Sequence, residues 1–235
     1  MGHLDFQEFY RVNLPHIQPP GAVLFITFRL AGAIPQSIIM RWNQEKHWLM
    51  EEIKRWQQKC KDDPSLNLSE NEDRLLTHYY KMQRQHFSQM EKALEAESAG
   101  NVWLNDDRVA EQIRESLFHR DSKEYRLDAY CIMSNHVHVV CKPLPTDELI
   151  DGIQKYHALA AILHSLKGYT AYKCNRILKR RGIFWEHESY DHYIRNSDEN
   201  DRIVSYVLNN PVKAGLVKHW EDWRWNYVRK GRANC

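Results

Sequence analysis

The chain has 235 residues, and its 33 Lys+Arg against 31 Asp+Glu leave a formal charge of only +2. That balance excludes a polycation that holds nucleic acid by bulk charge, and 43% hydrophobic with 11% aromatic residues excludes a disordered chain. No apolar run approaches the ~18 residues of a membrane span. The opening MGHLDFQEFYRVNLPHIQPP lacks a basic segment followed by an apolar one, and Cys60, Cys131, Cys141, Cys174 and Cys235 are odd in number with no CxxC. A soluble, cytoplasmic protein without a disulfide framework is expected.

In chain order, Ala22 to Leu30 (AVLFITFRL) is β-branched and aromatic between Gly21 and Gly32, a strand. From Gln36 to Cys60, Ile38, Trp42, Leu49, Ile53 and Trp56 form a helical stripe. DDPS at 62–65 is a turn, and Leu76, Tyr80, Phe87, Met90 and Leu94 form a second stripe between Ser69 and Glu97. Two stripes across a short loop predict an antiparallel helical hairpin. A helix is expected from Asp106 to Phe118, capped by Asp106 or Asp107, with Val109, Ile113 and Leu117 on its buried edge. Tyr125 to Met133 and His136 to Lys142 are strands around a Ser134-Asn135 turn. Residues 147–179 are expected to be helical, in two pieces broken near Gly168. Gly182 to Glu186 is expected to be a short strand, and a last helix to run from Asp198 to Asn209, capped by Ser197 and stopped by Pro211.

Without the hairpin the order is strand, helix, strand, strand, helix, strand, then an extra helix. This predicts an α+β fold, a ferredoxin-like antiparallel sheet with helices on one face. The chain reads as a single domain, 1–235, with the helical hairpin inserted at about 36–100. A structural extension is the default role of that insert, whose 10 basic and 11 acidic residues nearly cancel.

The net charge hides an asymmetry. Residues 151–235 carry 15 Lys/Arg against 9 Asp/Glu, or +6, whereas residues 1–150 carry 18 against 22, or −4. From Gly152 to Trp185 there is no acid, but Lys155, Lys167, Lys173, Arg176, Lys179, Arg180 and Arg181 occur with Tyr156, Tyr169 and Tyr172 between them. Such a stretch is either a solvated helix face or a surface on which cations track phosphates and rings stack on bases.

Two motifs carry chemistry. In His136-Val137-His138, strand geometry points both imidazoles to one face and Val137, Val139 and Cys141 to the other. The pair is a metal chelate or a pair of core histidines. In YVLNNP, Tyr206 and Asn210 lie at i and i+4 on one helix face. Tyr206 offers a phenol nucleophile and Asn210 a hard amide oxygen suited to Mg²⁺ or Mn²⁺. The alternative is a buried tyrosine beside a helix-ending asparagine. Tyr190 and Tyr193 are lesser nucleophile candidates, and Glu186 and Glu188 lesser ligands.

The combination of IMSNHVHVV, FWEHESYDHYIRN and YVLNNPVKAGLV, with FITFRLAGAIP near the start, resembles the REP-associated tyrosine transposases of the single-tyrosine HUH transposase-like family. The resemblance runs from about Ala22 to Trp225 apart from the hairpin, which compact members of the family lack. It implies His136 and His138 as metal ligands, Asn210 as the third ligand and Tyr206 as the nucleophile. Arg195 and His192 match a segment near the active site, and with Lys167, Lys173, Arg176 and Lys213 they form the expected DNA-binding set. The implied activity is a metal-dependent endonuclease and strand transferase acting on single-stranded or hairpin DNA through a 5′-phosphotyrosine intermediate, with Mg²⁺ or Mn²⁺ as cofactor. The implied protein is bacterial, nucleoid-associated, and a monomer or homodimer. A non-cleaving protein that binds DNA hairpins with the same fold is the alternative. A zinc hydrolase built on H-x-H ranks last, because no third histidine or carboxylate sits at ligand spacing.

Overall fold

A computed structural model describes residues 19–62, 68–96, 100–150 and 153–230. The turn expected beyond Asp62, the Cys60 side chain and the end of the chain with Cys235 lie outside the described residues. Two compact units emerge, one containing Ile34–Ala93 and the other Ile17–Ala33 with Leu94–Cys235.

The first unit holds the helical hairpin expected from the two apolar stripes, α1 (Gln36–Asp62) and α2 (Leu68–Glu95), except for the last two residues of α2, Leu94 and Glu95, which belong to the second unit. Trp42 Nε1 donates to Gln89 Oε1 at 2.9 Å, and His86 Nε2 meets Glu45 Oε2 at 2.6 Å. Position 42 faces 89 while 45 faces 86, so the helices run antiparallel. The Trp42 and His86 rings stack at 5.7 Å. The contact is thus partly polar, which the apolar stripes alone do not foretell.

The second unit is a five-stranded antiparallel sheet in the order β6-β1-β3-β2-β7. Its strands are β1 (Val23–Arg29), β2 (Tyr125–Ile132), β3 (His136–Pro143), β6 (Tyr190–Ile194) and β7 (Asn226–Val228). Helix α3 (Asp107–Arg120) joins β1 to β2 across the insertion, and α4 (Leu159–Ile177) leads from β3 towards β6. Of the two expected candidates, the Asp106 side chain caps α3 by accepting from Arg108 N. Opposed residues in β1 and β3 share a face. Leu24, Ile26 and Phe28 therefore lie with Cys141, Val139 and Val137. This face packs with Leu117 of α3 and with Ile162 and Leu166 of α4. Phe28 and Val137 are fully buried, and each such side chain contributes roughly 1.5–3 kcal/mol relative to exposure.

Four local expectations need correction. Residues 145–150 and 153–156 are not helical: β4 (Pro145–Ile150) and β5 (Ile153–Tyr156) form a separate two-stranded ribbon. Helix α4 continues through Gly168, because Leu166 and Thr170 on either side are buried and hold that turn. The fourth strand of the main sheet is Tyr190–Ile194 rather than 182–186, where only Trp185 makes a bridge, to Leu30. Finally, α5 (Ser197–Lys213) is capped by Asn196, whose Oδ1 accepts from Glu199 N at 2.8 Å, and Pro211 lies inside its last turn. There the helix closes beyond the proline, with Ala214 N donating to Asn210 O at 2.9 Å.

Helices cover both faces of the sheet, not one. α3 and α4 occupy the apolar face. On the opposite face, Tyr206 of α5 packs edge-on against Phe25 of β1 at 6.1 Å.

Candidate active site

The polar face of the sheet is the other half of the same alternation. Thr27 pairs with His138 and Arg29 with His136, and Cys131 of β2 flanks His138 from the other side. Thr27, His136 and His138 are each at most 2% exposed. Burying three polar side chains together is costly unless each finds a partner, and the partners here are specific.

The Nε2 atoms of His136 and His138 lie 3.0 Å apart, with the ring planes at 75°. His136 Nδ1 meets Asn135 Oδ1 at 2.7 Å. The Asn135 amide is oriented by its other end, since Nδ2 donates to Leu94 O at 3.0 Å. The oxygen facing His136 can only accept, so His136 Nδ1 carries the hydrogen and a neutral His136 presents its lone pair at Nε2. His138 Nδ1 lies 2.7 Å from the Thr27 hydroxyl, which accepts when Nδ1 is protonated. Two such Nε2 lone pairs facing each other repel unless a proton or a cation sits between them. This is donor chemistry of the kind a divalent cation takes, with the outer nitrogens held as ligand histidines require.

Tyr206 stands beside the pair, its ring 5.7 Å from His138 at 65°. Phe25 stacks on His138 at 5.6 Å and so backs both rings. Asn210, one turn further along α5, is 1% exposed and has no hydrogen-bond partner for either amide atom. A buried primary amide with both ends unsatisfied costs about 1–3 kcal/mol, and its oxygen has the chemistry of a hard ligand.

The expected DNA-binding residues fall in four places. His192 Nε2 meets Glu199 Oε1 at 3.0 Å, and Arg195 N donates to Glu199 Oε2 at 2.8 Å. Burial works to raise the Glu199 carboxyl, but these two partners outweigh it and hold it below its ordinary range. The DHYIR segment therefore fastens the first turn of α5, which carries Tyr206. Lys167 Nζ donates to His187 O at 2.9 Å and to Ser189 Oγ at 3.0 Å. Burial, with help from the nearby Arg29 charge, pushes its ammonium down to about 8. Lys173 and Arg176 lie over the Tyr169 and Tyr172 rings at 5.6 and 5.5 Å. Lys213 pairs with Glu95 at 2.6 Å. Among the lesser candidates, Tyr190 packs against Phe25 at 6.1 Å.

The comparisons with known proteins add a direction. No family model matches the chain. Over 96 residues, 40% of this chain, it is 27% identical to a Haemophilus influenzae protein named "Putative REP-associated tyrosine transposase". The chain resembles the REP-associated tyrosine transposases. The match spans 54% of that relative's length. A solved structure described as a REP-associated tyrosine transposase bound to a REP hairpin aligns with a TM-score of 0.49 and 14% identity, over 93% of this chain and 81% of that one. Among the described residues no helix is long and apolar enough to cross a membrane.

Sequence reasoning passed over three residues. Asn135 reads as a turn residue, yet it orients a ligand candidate; its signal is its place directly before H-x-H. Thr27 is a polar residue in the middle of an apolar strand and is fully buried. In the helical unit, Glu91 is a carboxylate only 4% exposed. Its signal is an acid beside Met90 at the edge of the apolar stripe, and its chemistry is that of a hard oxygen donor.

Proposed function

We propose that the chain is a metal-dependent endonuclease and strand transferase of single-stranded DNA at hairpin-associated sites, with Tyr206 as its nucleophile. The observation that carries this reading is the placement of the Tyr206 ring 5.7 Å from His138, whose Nε2 meets that of His136 at 3.0 Å. A phenol beside two convergent imidazoles suits phosphoryl transfer, and the similarity to a protein named as a tyrosine transposase points the same way.

His136, His138 and Asn210 would hold the cation. A Mg²⁺ or Mn²⁺ ion bound there supplies charge neutralisation and orientation of the scissile phosphate. Tyr206 loses its phenolic proton and its oxygen attacks phosphorus in line. The P–O3′ bond breaks, the 3′ oxygen takes up a proton, and the DNA is left with a free 3′-OH and a 5′-phosphotyrosine link. Attack by a 3′-OH on that link reverses the step and returns the proton to Tyr206. The phosphodiester energy is conserved, so no nucleotide cofactor is needed. A free phenol has a pKa of about 10, so ionisation at neutral pH calls for a base or a cation that favours the phenolate. Phe25, stacked behind His138 and edge-on to Tyr206, keeps the phenol from swinging away. His192 and Arg195 set the start of α5 through Glu199, and Lys167, Lys173, Arg176 and Lys213 supply cationic groups for the DNA backbone.

The test is adduct formation on a hairpin-flanked single strand with Mg²⁺ or Mn²⁺. The wild-type chain forms a covalent protein–DNA species, and Tyr206→Phe binds the same DNA but forms none. Adducts in the Phe variant overturn the assignment of Tyr206. Binding without adducts in the wild type identifies a hairpin-binding protein that does not cleave.

A further inference from the structure

The outward face of α4 carries two tyrosines to which the proposed reaction assigns no role. Tyr169 and Tyr172 are 48% and 58% exposed. Together with Arg176 they lie at i, i+3 and i+7, one line along the helix. Lys173 stands over the Tyr169 ring, and Arg176 over Tyr172, whose hydroxyl also accepts from Arg176 Nη1 at 2.8 Å. Such pairing holds each ring upright on the surface and leaves its other face open. The helix lies within the acid-free tract from Gly152 to Trp185, so the surroundings favour a polyanion.

Gly168 adds a separate sign. It sits in the middle of α4, where glycine weakens a helix relative to alanine. A Cβ at Gly168 would meet nothing within 4 Å. The helix backbone is therefore open to close approach at that position. All of these groups lie on the α4 layer, across the sheet from His136 and His138.

We infer that Tyr169, Tyr172, Lys173 and Arg176, beside Gly168, form a stacking surface for unpaired DNA bases, distinct from the cleavage face. The rings take successive bases without sequence preference, and the cations track the phosphates. The inference rests on the proposed action on DNA, and it adds that the substrate's single-stranded part is held on the face of the sheet opposite the chemistry.

The experiment is equilibrium binding, by fluorescence anisotropy, of a labelled ten-nucleotide oligothymidylate and a blunt duplex of equal length. The variants are Tyr169→Ala/Tyr172→Ala, the corresponding double Phe variant, and Gly168→Leu. The double Ala variant is expected to weaken oligothymidylate binding at least tenfold while changing duplex binding less than twofold. The double Phe variant should bind like wild type, and Gly168→Leu should weaken single-strand binding with thermal stability kept or raised. Equal binding by the double Ala variant and wild type overturns the stacking surface and leaves the cleavage reading intact. Equal loss of both probes, or full competition by polyglutamate of matched charge, shows a charged face without base stacking and also overturns it. Failure of the wild-type chain to bind any DNA overturns both readings together.

Discussion

Replacing Asn135 by Ala should disable metal binding without touching a ligand. Two buried groups lose their partners together: His136 Nδ1, now 2.7 Å from Oδ1, and Leu94 O, now 3.0 Å from Nδ2. An unsatisfied buried polar group costs about 1–3 kcal/mol, so the pair predicts a loss of about 2–6 kcal/mol in unfolding free energy, smaller where water enters the gap. With no acceptor at Nδ1 the ring is free to place its hydrogen at Nε2, which cannot then bind a cation. Loss of an outer partner of this kind lowers metal affinity by about 10–100-fold. Asn135→Asp separates the two effects. Its carboxylate still accepts from His136 Nδ1 but gives Leu94 O no donor, so stability falls while affinity is largely kept. Mn²⁺ titration followed by electron paramagnetic resonance, with urea unfolding on the same samples, measures both quantities. If the Ala variant binds Mn²⁺ as tightly as wild type, the role assigned to Asn135 is wrong.

Other consequences are equally direct. Phe25→Ala removes the ring that backs His138 and Tyr206; unfolding should show a cost of about 3–5 kcal/mol, and adduct yield should fall with it. Asn196→Ala removes the α5 cap and should cost about 1 kcal/mol in denaturant unfolding, with no direct contact to the histidines disturbed. Lys167 has its pKa lowered in the fold from 10.5 to about 8, so between those values the unfolded chain binds more protons and stability rises with pH. Relative to Lys167→Met, the wild-type chain should therefore gain stability from pH 8 to 10.5 in urea titrations; a flat difference refutes the burial assigned to this ammonium.

Much of the site was legible because strand and helix periods are rigid. Period two in β3 put both histidines on one face and Val137, Val139 and Cys141 on the other, and i to i+4 spacing put Asn210 below Tyr206 on α5. Local chemistry narrowed the α3 cap to Asp106 or Asp107, and the structure selects Asp106. Illegible parts depended on tertiary pairing. TDELIDGIQKYH has the spacing of an amphipathic helix, yet most of it forms the β4–β5 ribbon. The YDHYI strand sits at the sheet edge, where its side chains are only half-buried before Ile194, so no clean alternation announces it. Pro211 removes the one bond its own N–H would make and clashes only with the turn before it; the helix still closes beyond it, with Ala214 N donating to Asn210 O. The tautomer of His136 was unreadable because it depends on Leu94, 41 positions from Asn135 along the chain.

The division of β3 into an oily face and a polar face has an evolutionary consequence. At Val137, Val139 and Cys141 selection acts on volume, and neighbours across the core can trade methyl groups to compensate. At His136 and His138 it acts on donor atoms, for which no neighbour can substitute. The two pressures are interleaved residue by residue, so they can drift independently under point substitution. They cannot do so under insertion or deletion: one residue gained or lost in the turn at Ser134-Asn135 would exchange the faces of the whole strand. The length of that turn, and not only the identity of the core residues, therefore keeps the donor atoms on the polar face.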